Sequence, residues 1–132
     1  MMLHHLRTLA PAALLLLSGC FSNSRHQGER LYAEQCASCH GEQGQGLGRL
    51  IPPLAGSDYL VDHRAELPCL LRHGQHEVIV VNGIGYHNVM PGNDTLSVAR
   101  MTNLLNYIET HWGNEAKLRT MKEVQEQLDI CP

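Results

Sequence analysis

At 132 residues, with a formal charge of −3 and no run of lysine or arginine, the chain has room for one small domain and lacks the basic surface that a nucleic-acid partner needs. A single Phe and a single Trp leave little aromatic filling, so a domain of this size gains from a crosslink or a bound group inside it. Its five cysteines are where the composition asks for chemistry.

Residues 1–19 read as a secretory signal: Arg7 lies in a short polar start, an apolar run follows from Leu9 to Leu17, and small residues close it. That run is too short to span a bilayer as a helix. The stretch LSGC, Leu17 to Cys20, also matches a bacterial lipoprotein cleavage site. It predicts lipid on Cys20 and a polar tether over residues 20–25; an ordinary signal followed by a stray cysteine is the alternative. Several acyl chains, at about 0.8 kcal/mol per buried methylene, would hold the mature chain on a membrane without a spanning helix. Loss of Arg7 takes the formal charge from −3 to −4.

From His26 to Cys39 the sequence suits a helix, with Leu31, Tyr32 and Ala33 as its apolar or aromatic positions, and this helix runs straight into CASCH, Cys36 to His40. Residues 41–48 contain four glycines and form a loop, while the prolines of IPPLAG, residues 51–56, keep that stretch extended. Ser57 and Asp58 start a helical turn through His63, and residues 66–73 form another short helix that includes Cys69. Residues 78–86 read as a β run turning at Asn82-Gly83, and residues 88–93 as a loop around Met90. The clearest helix opens at Leu96-Ser97 and is stopped by Gly113, with Val98, Met101, Leu104, Leu105, Ile108 and Trp112 at helical spacing. A weaker amphipathic stretch follows, placing Leu118, Met121, Val124 and Leu128 on one face. A few helices separated by long glycine-rich loops suit a chain that wraps something.

Three chemistries use the CASCH pattern. A thioredoxin-like dithiol needs the motif to open a helix after a strand, whereas here it follows a helix. A structural zinc site needs a second ligand pair of similar spacing; Cys69 and Cys131 stand alone, and His73 and His76 suit the surface of a helix end. Covalent attachment of haem fits best, since Cys-x-x-Cys-His is the c-type attachment signature: Cys36 and Cys39 hold the porphyrin and His40 is held on one face of it. The remaining pair, Cys69 and Cys131, is expected as a disulfide in an exported chain, with two free thiols as the alternative. Such a bridge closes about sixty residues and is worth roughly 4 kcal/mol on chain-entropy grounds.

Iron held by His40 needs a sixth ligand or an open position. Met90 lies in a suitable loop, stiffened by Pro91, whereas Met101 and Met121 sit on helix faces and read as core methionines. His87 is the next candidate.

With CASCH followed fifty residues later by MPG, residues 26–113 resemble the class I c-type cytochromes. The resemblance implies a mainly α fold of three to five helices around one covalently bound haem c, with a short β-hairpin-like segment. It implies that Gly28 and Tyr32 pack against Leu104 and Tyr107 where the first and last family helices cross. It also implies that Pro52 or Pro53 offers the carbonyl that accepts a hydrogen bond from His40, and that Met90 is the distal ligand. MPGNDTLS and LLNYIETHWGN look like small cytochromes fused to, or working with, copper oxidases, nitrite reductases and periplasmic dehydrogenases. Residues 114–132 lie outside the family pattern and are expected to be a helical extension packed on the domain.

Such a chain is expected to be a monomeric, lipid-anchored, one-electron carrier facing the periplasm. Its partner is expected to be a redox protein: a terminal oxidase, a nitrite reductase or a dehydrogenase. Two rivals stand beside it: a haem enzyme whose iron is open to peroxide or nitrite, and a redox-sensing, gas-sensing or assembly module with an exchangeable distal ligand. Residues 78–93 carry no Lys, Arg, Asp or Glu and are expected to dock the partner, with Ile84, Tyr86 and Val89 as surface residues; the alternative is that these side chains cover the haem from inside.

Overall fold

The computed structural model describes residues 24–132; the expected signal and Cys20 lie outside them. Helix α1 spans Ser24–Gln35 and begins inside the stretch expected as tether. It crosses α5, Val98–Ile108, which is capped by the Ser97 hydroxyl accepting from the Arg100 amide at 3.3 Å. The crossing is close because Gly28 has no side chain: a Cβ there would stand 2.7 Å from Cβ of Tyr107 and press on the Asn103 carbonyl. Leu31 and Tyr32 from α1 meet Met101, Leu104, Leu105 and Ile108 from α5, and together these form the buried centre.

The expected helix over 26–39 breaks at Cys36 (φ −125°, ψ −38°), and α2, Ala37–His40, is a separate turn. With α3 (Asp58–Asp62), α4 (Leu67–His73) and α6 (Met121–Asp129) the described residues hold six helical segments rather than three to five. Two small antiparallel ladders complete the fold. Strands β2 (Ile79–Val81) and β3 (Ile84–Tyr86) form the expected hairpin, with Asn82 at φ 51° and Gly83 at φ 77° in its turn. Strand β1 (Gly74–Gln75) pairs with β4 (Met90–Pro91), so the loop expected at 88–93 is partly a strand.

Helix α5 ends at Ile108 and not at Gly113, because the Asn114 side chain caps it, donating to the carbonyls of Ile108 and Leu54 at 2.9 Å each. Trp112 leaves the helix with φ 55° and its ring packs on Tyr32, with centroids 4.7 Å apart. The chain then returns along α5. Arg119, buried, lays its guanidinium on the buried Glu109 carboxylate (Nε–Oε2 2.6 Å, Nη2–Oε1 2.8 Å), and Arg64 meets the same carboxylate at 2.6 Å. Arg119 also donates to Gln127 at 2.7 Å and to the Arg64 carbonyl. Helix α6 starts with a capping box between Thr120 and Glu123 and buries Val124 completely. A disulfide joins Cys69 on α4 to Cys131, with Cα atoms 5.6 Å apart.

Two sequence expectations fail here. Leu118 and Met121 are exposed, at 62% and 58%, so the apolar face of the extension is Val124 and Leu128 alone and Met121 is not a core methionine. The extension is seated by a buried ion pair at its start and a crosslink at its end, which makes a full apolar stripe unnecessary. Tyr86 is not a surface residue: only 3% of it is exposed, and its hydroxyl points to the Gly48 carbonyl at 3.4 Å.

Candidate haem-binding site

The break at Cys36 places the CASCH turn across the end of α1. Cys36 faces inward and is buried, Cys39 faces outward, and neither is disulfide-bonded. Burial, and then the neighbouring Cys39, push the Cys36 thiol up to about 11. The buried His40 ring has its Nδ1 3.0 Å from the Pro52 carbonyl oxygen. A carbonyl only accepts, so Nδ1 carries the hydrogen and Nε2 keeps its lone pair for a metal. Burial moves the His40 pKa down, with the Pro52 contact opposing it, so the ring is neutral at physiological pH. Of the two prolines expected for this contact, Pro52 makes it and Pro53 lines the cavity beside it.

The glycine loop fixes that arrangement. The Tyr32 hydroxyl donates to the Gly41 carbonyl at 2.5 Å, and the amides of Leu54 and Ala55 donate to the Gly44 carbonyl at 2.7 and 2.9 Å. Gly44 (φ 65°) lies against the Trp112 ring, where a Cβ would come within 2.7 Å.

Two cavities adjoin at this turn, of about 620 and 750 Å³ counting the solvent at their mouths. Cys36, His40, Pro52, Leu70, Ile79 and Met90 line both, and Cys39 joins the lining of the second. Neither lining contains an Asp, Glu, Lys or Arg. The donor set therefore fits a haem: two thiols for thioethers, a neutral imidazole with its tautomer set, a thioether on a second segment, and apolar walls for the macrocycle. His87 is exposed and lines neither cavity. His73 and His76 are exposed as expected, and no cluster of metal-binding side chains occurs among the described residues.

Met90 is held by more than Pro91. Its backbone pairs with Gln75 and that of Pro91 with Gly74, while the Asn93 amide donates to the Leu71 carbonyl at 2.8 Å. Gly74 and Gly92 permit this approach: a Cβ on Gly92 would lie 2.6 Å from the Arg72 carbonyl oxygen. Arg72 reaches across to the carbonyls of Asp94 and Leu96 at 2.6 and 2.9 Å. Sequence reading missed this support; the signal available was the pair of glycines, one after α4 and one after MP.

Comparison with known proteins agrees with the site. The family model described as cytochrome c oxidase, cbb3-type, subunit III matches residues 23–108. Cytochrome c-552 of Thermus thermophilus is 36% identical over 114 residues, covering 83% of this chain and 76% of the relative. The cytochrome c subunit of the quinone alcohol dehydrogenase of Gluconacetobacter polyoxogenes is 34% identical over 91 residues, covering 67% of this chain but 19% of the relative. A thiosulfate dehydrogenase of Stutzerimonas stutzeri is 53% identical over 36 residues, or 24% of this chain. The chain belongs to the class I c-type cytochromes, electron carriers with covalently bound haem c.

Proposed function

We propose that this cytochrome carries single electrons on the periplasmic side of a bacterial membrane, anchored by lipid on Cys20, with Cys36 and Cys39 holding the haem and His40 and Met90 as axial ligands. The observation that supports it most is that Cys36, His40 and Met90 line the same two uncharged cavities. When bound, the haem supplies one-electron exchange between ferric and ferrous iron. The chain's own part is to keep both iron positions filled and to surround the group with apolar walls. Such walls disfavour the extra charge of the oxidised state and so raise the potential. Neither lining offers a carboxylate or an ammonium group for proton transfer, which supports a carrier over the enzyme reading. Among the described residues no helix is long and apolar enough to cross a membrane.

The partner is a redox protein, and the relative named as a subunit of a quinone alcohol dehydrogenase, with the family model described as a cbb3-type oxidase subunit, makes those two classes the first to test. Docking is assigned to the mouth of the second cavity, whose lining is uncharged and where Leu50 and Val89 are 56% and 59% exposed. Ile84 is half-buried and contributes less, and the buried Tyr86 drops out of this surface. Confinement to one membrane raises the effective concentration of a membrane-bound partner, so charge steering is not required. The expected rate of electron exchange with a membrane-bound oxidase changes little between low and physiological ionic strength; a steep fall with added salt contradicts this docking face. Carbon monoxide tests the ligation: the reduced protein should bind it poorly, whereas rapid, complete binding points to an open iron.

A further inference from the structure

We infer that the C-terminal segment from Arg119 to Cys131, seated on Glu109 at the end of α5, is a positioning brace for the strand that carries Met90; this rests on Met90 being the distal ligand. The two axial sides of the site are held by different parts of the chain. His40 is fixed through Pro52, Gly41, Gly44 and Leu54, and Leu54 is tied to the end of α5 by Asn114. Neither α6 nor the disulfide takes part in any of these contacts. Met90, in contrast, hangs from α4 and the strand that follows it, through the β1–β4 ladder, the Asn93–Leu71 hydrogen bond and the Arg72 contacts.

Helix α4 is only seven residues long and is tied from outside at its middle, where Cys69 is crosslinked to Cys131. The other end of the brace is the Arg119–Glu109 pair, which anchors it to α5 and, through Arg64, to the turn before α4. Between these points α6 packs on both α4 and α5, with the fully buried Val124 at its centre. A short helix crosslinked at one residue, five positions before the strand that pairs with the one carrying a weak sulfur ligand, transmits its position to that ligand. Cutting the brace frees the Met90 strand to open locally while the core and the His40 side stay folded.

The test uses the oxidised holoprotein and the variant Cys69→Ser/Cys131→Ser, following the near-infrared sulfur-to-iron band and far-UV circular dichroism together on heating. In the parent, band and fold are expected to be lost together. In the variant the band should disappear well below the unfolding midpoint, and carbon monoxide should bind the reduced variant roughly tenfold faster or more, as local opening of the ligand strand allows. Gly28→Ala, at the α1–α5 crossing, is the control: it lowers the midpoint, but band and fold should still move together. If the serine pair yields no holoprotein, Arg119→Lys, which keeps the charge and removes the two-pronged contact with Glu109, takes its place with the same readouts. A variant whose band persists until the fold melts overturns the brace and leaves Met90 ligation intact. A parent without the band overturns Met90 ligation itself and the brace with it.

Discussion

Replacing Glu109 by alanine leaves the Arg119 guanidinium buried without its carboxylate. In the native fold both side chains are almost fully enclosed, at 2% and 1% exposure, and the pair is two-pronged, with contacts of 2.6 and 2.8 Å. Removing one member of a buried pair costs about 3–5 kcal/mol, because the remaining charge stays out of water. The remaining partners of Arg119, the Gln127 side chain and the Arg64 carbonyl, are neutral, and Arg64 itself is a second cation left in place. The upper half of that range is therefore expected. For a domain of about 100 residues this corresponds to a fall of roughly 15–20 °C in the unfolding midpoint of the holoprotein by circular dichroism. The double variant Glu109→Leu/Arg119→Met removes both charges and should recover most of the loss, since apolar replacements of a buried pair are often neutral or stabilising. A Glu109→Ala midpoint within about 3 °C of the parent would refute the reasoning, as it would show the pair to be solvated.

Further expectations concern the crossing and the cap. Gly28→Ala should destabilise by about 1–3 kcal/mol in chemical unfolding, because the new methyl group meets the Tyr107 Cβ and the Asn103 carbonyl; a neutral result would mean that α1 shifts freely on α5. The Glu123 carboxyl is held below its ordinary 4.5, first by the Thr120 backbone amide and then by the Thr120 hydroxyl. A depressed folded value means that the cap contributes fully above pH 4.5 and is lost as pH falls through the lower folded value. Normalised to the intrinsic rate at each pH, the amides in the first turn of α6 should therefore lose protection as pH falls below 4.5, and Glu123→Gln should remove that loss; an unchanged profile in the variant would contradict it.

Sequence reading reached the parts of the site whose chemistry is local. CASCH sets the two thiols and the imidazole by spacing alone, and the proline beside Met90 marks a held thioether. The long helix was legible because Val98, Met101, Leu104, Leu105 and Ile108 share one face, but its end was not. Trp112 continues the apolar spacing, yet its ring follows Tyr32 out of the helix, a tertiary preference that the period conceals. The pairing of Glu109 with Arg119 leaves no local sign in the sequence, because nothing there says that the chain turns back after Gly113 and lays one on the other. Met90 looked like a loop residue since its strand partner, Gln75, lies fifteen positions away and the ladder is two residues long. Tyr86 ends an exposed-looking hairpin, and only the position of the Gly48 loop buries it.

In the proposed ligation, a sulfur from Met90 would hold the iron together with His40. The most direct measurement is the near-infrared sulfur-to-iron band of the oxidised protein, recorded for the parent and for Met90→Ala. The band should be present in the parent and absent in the variant, whose reduced form should then bind carbon monoxide readily. A band unchanged in Met90→Ala, or absent from the parent, would contradict the account.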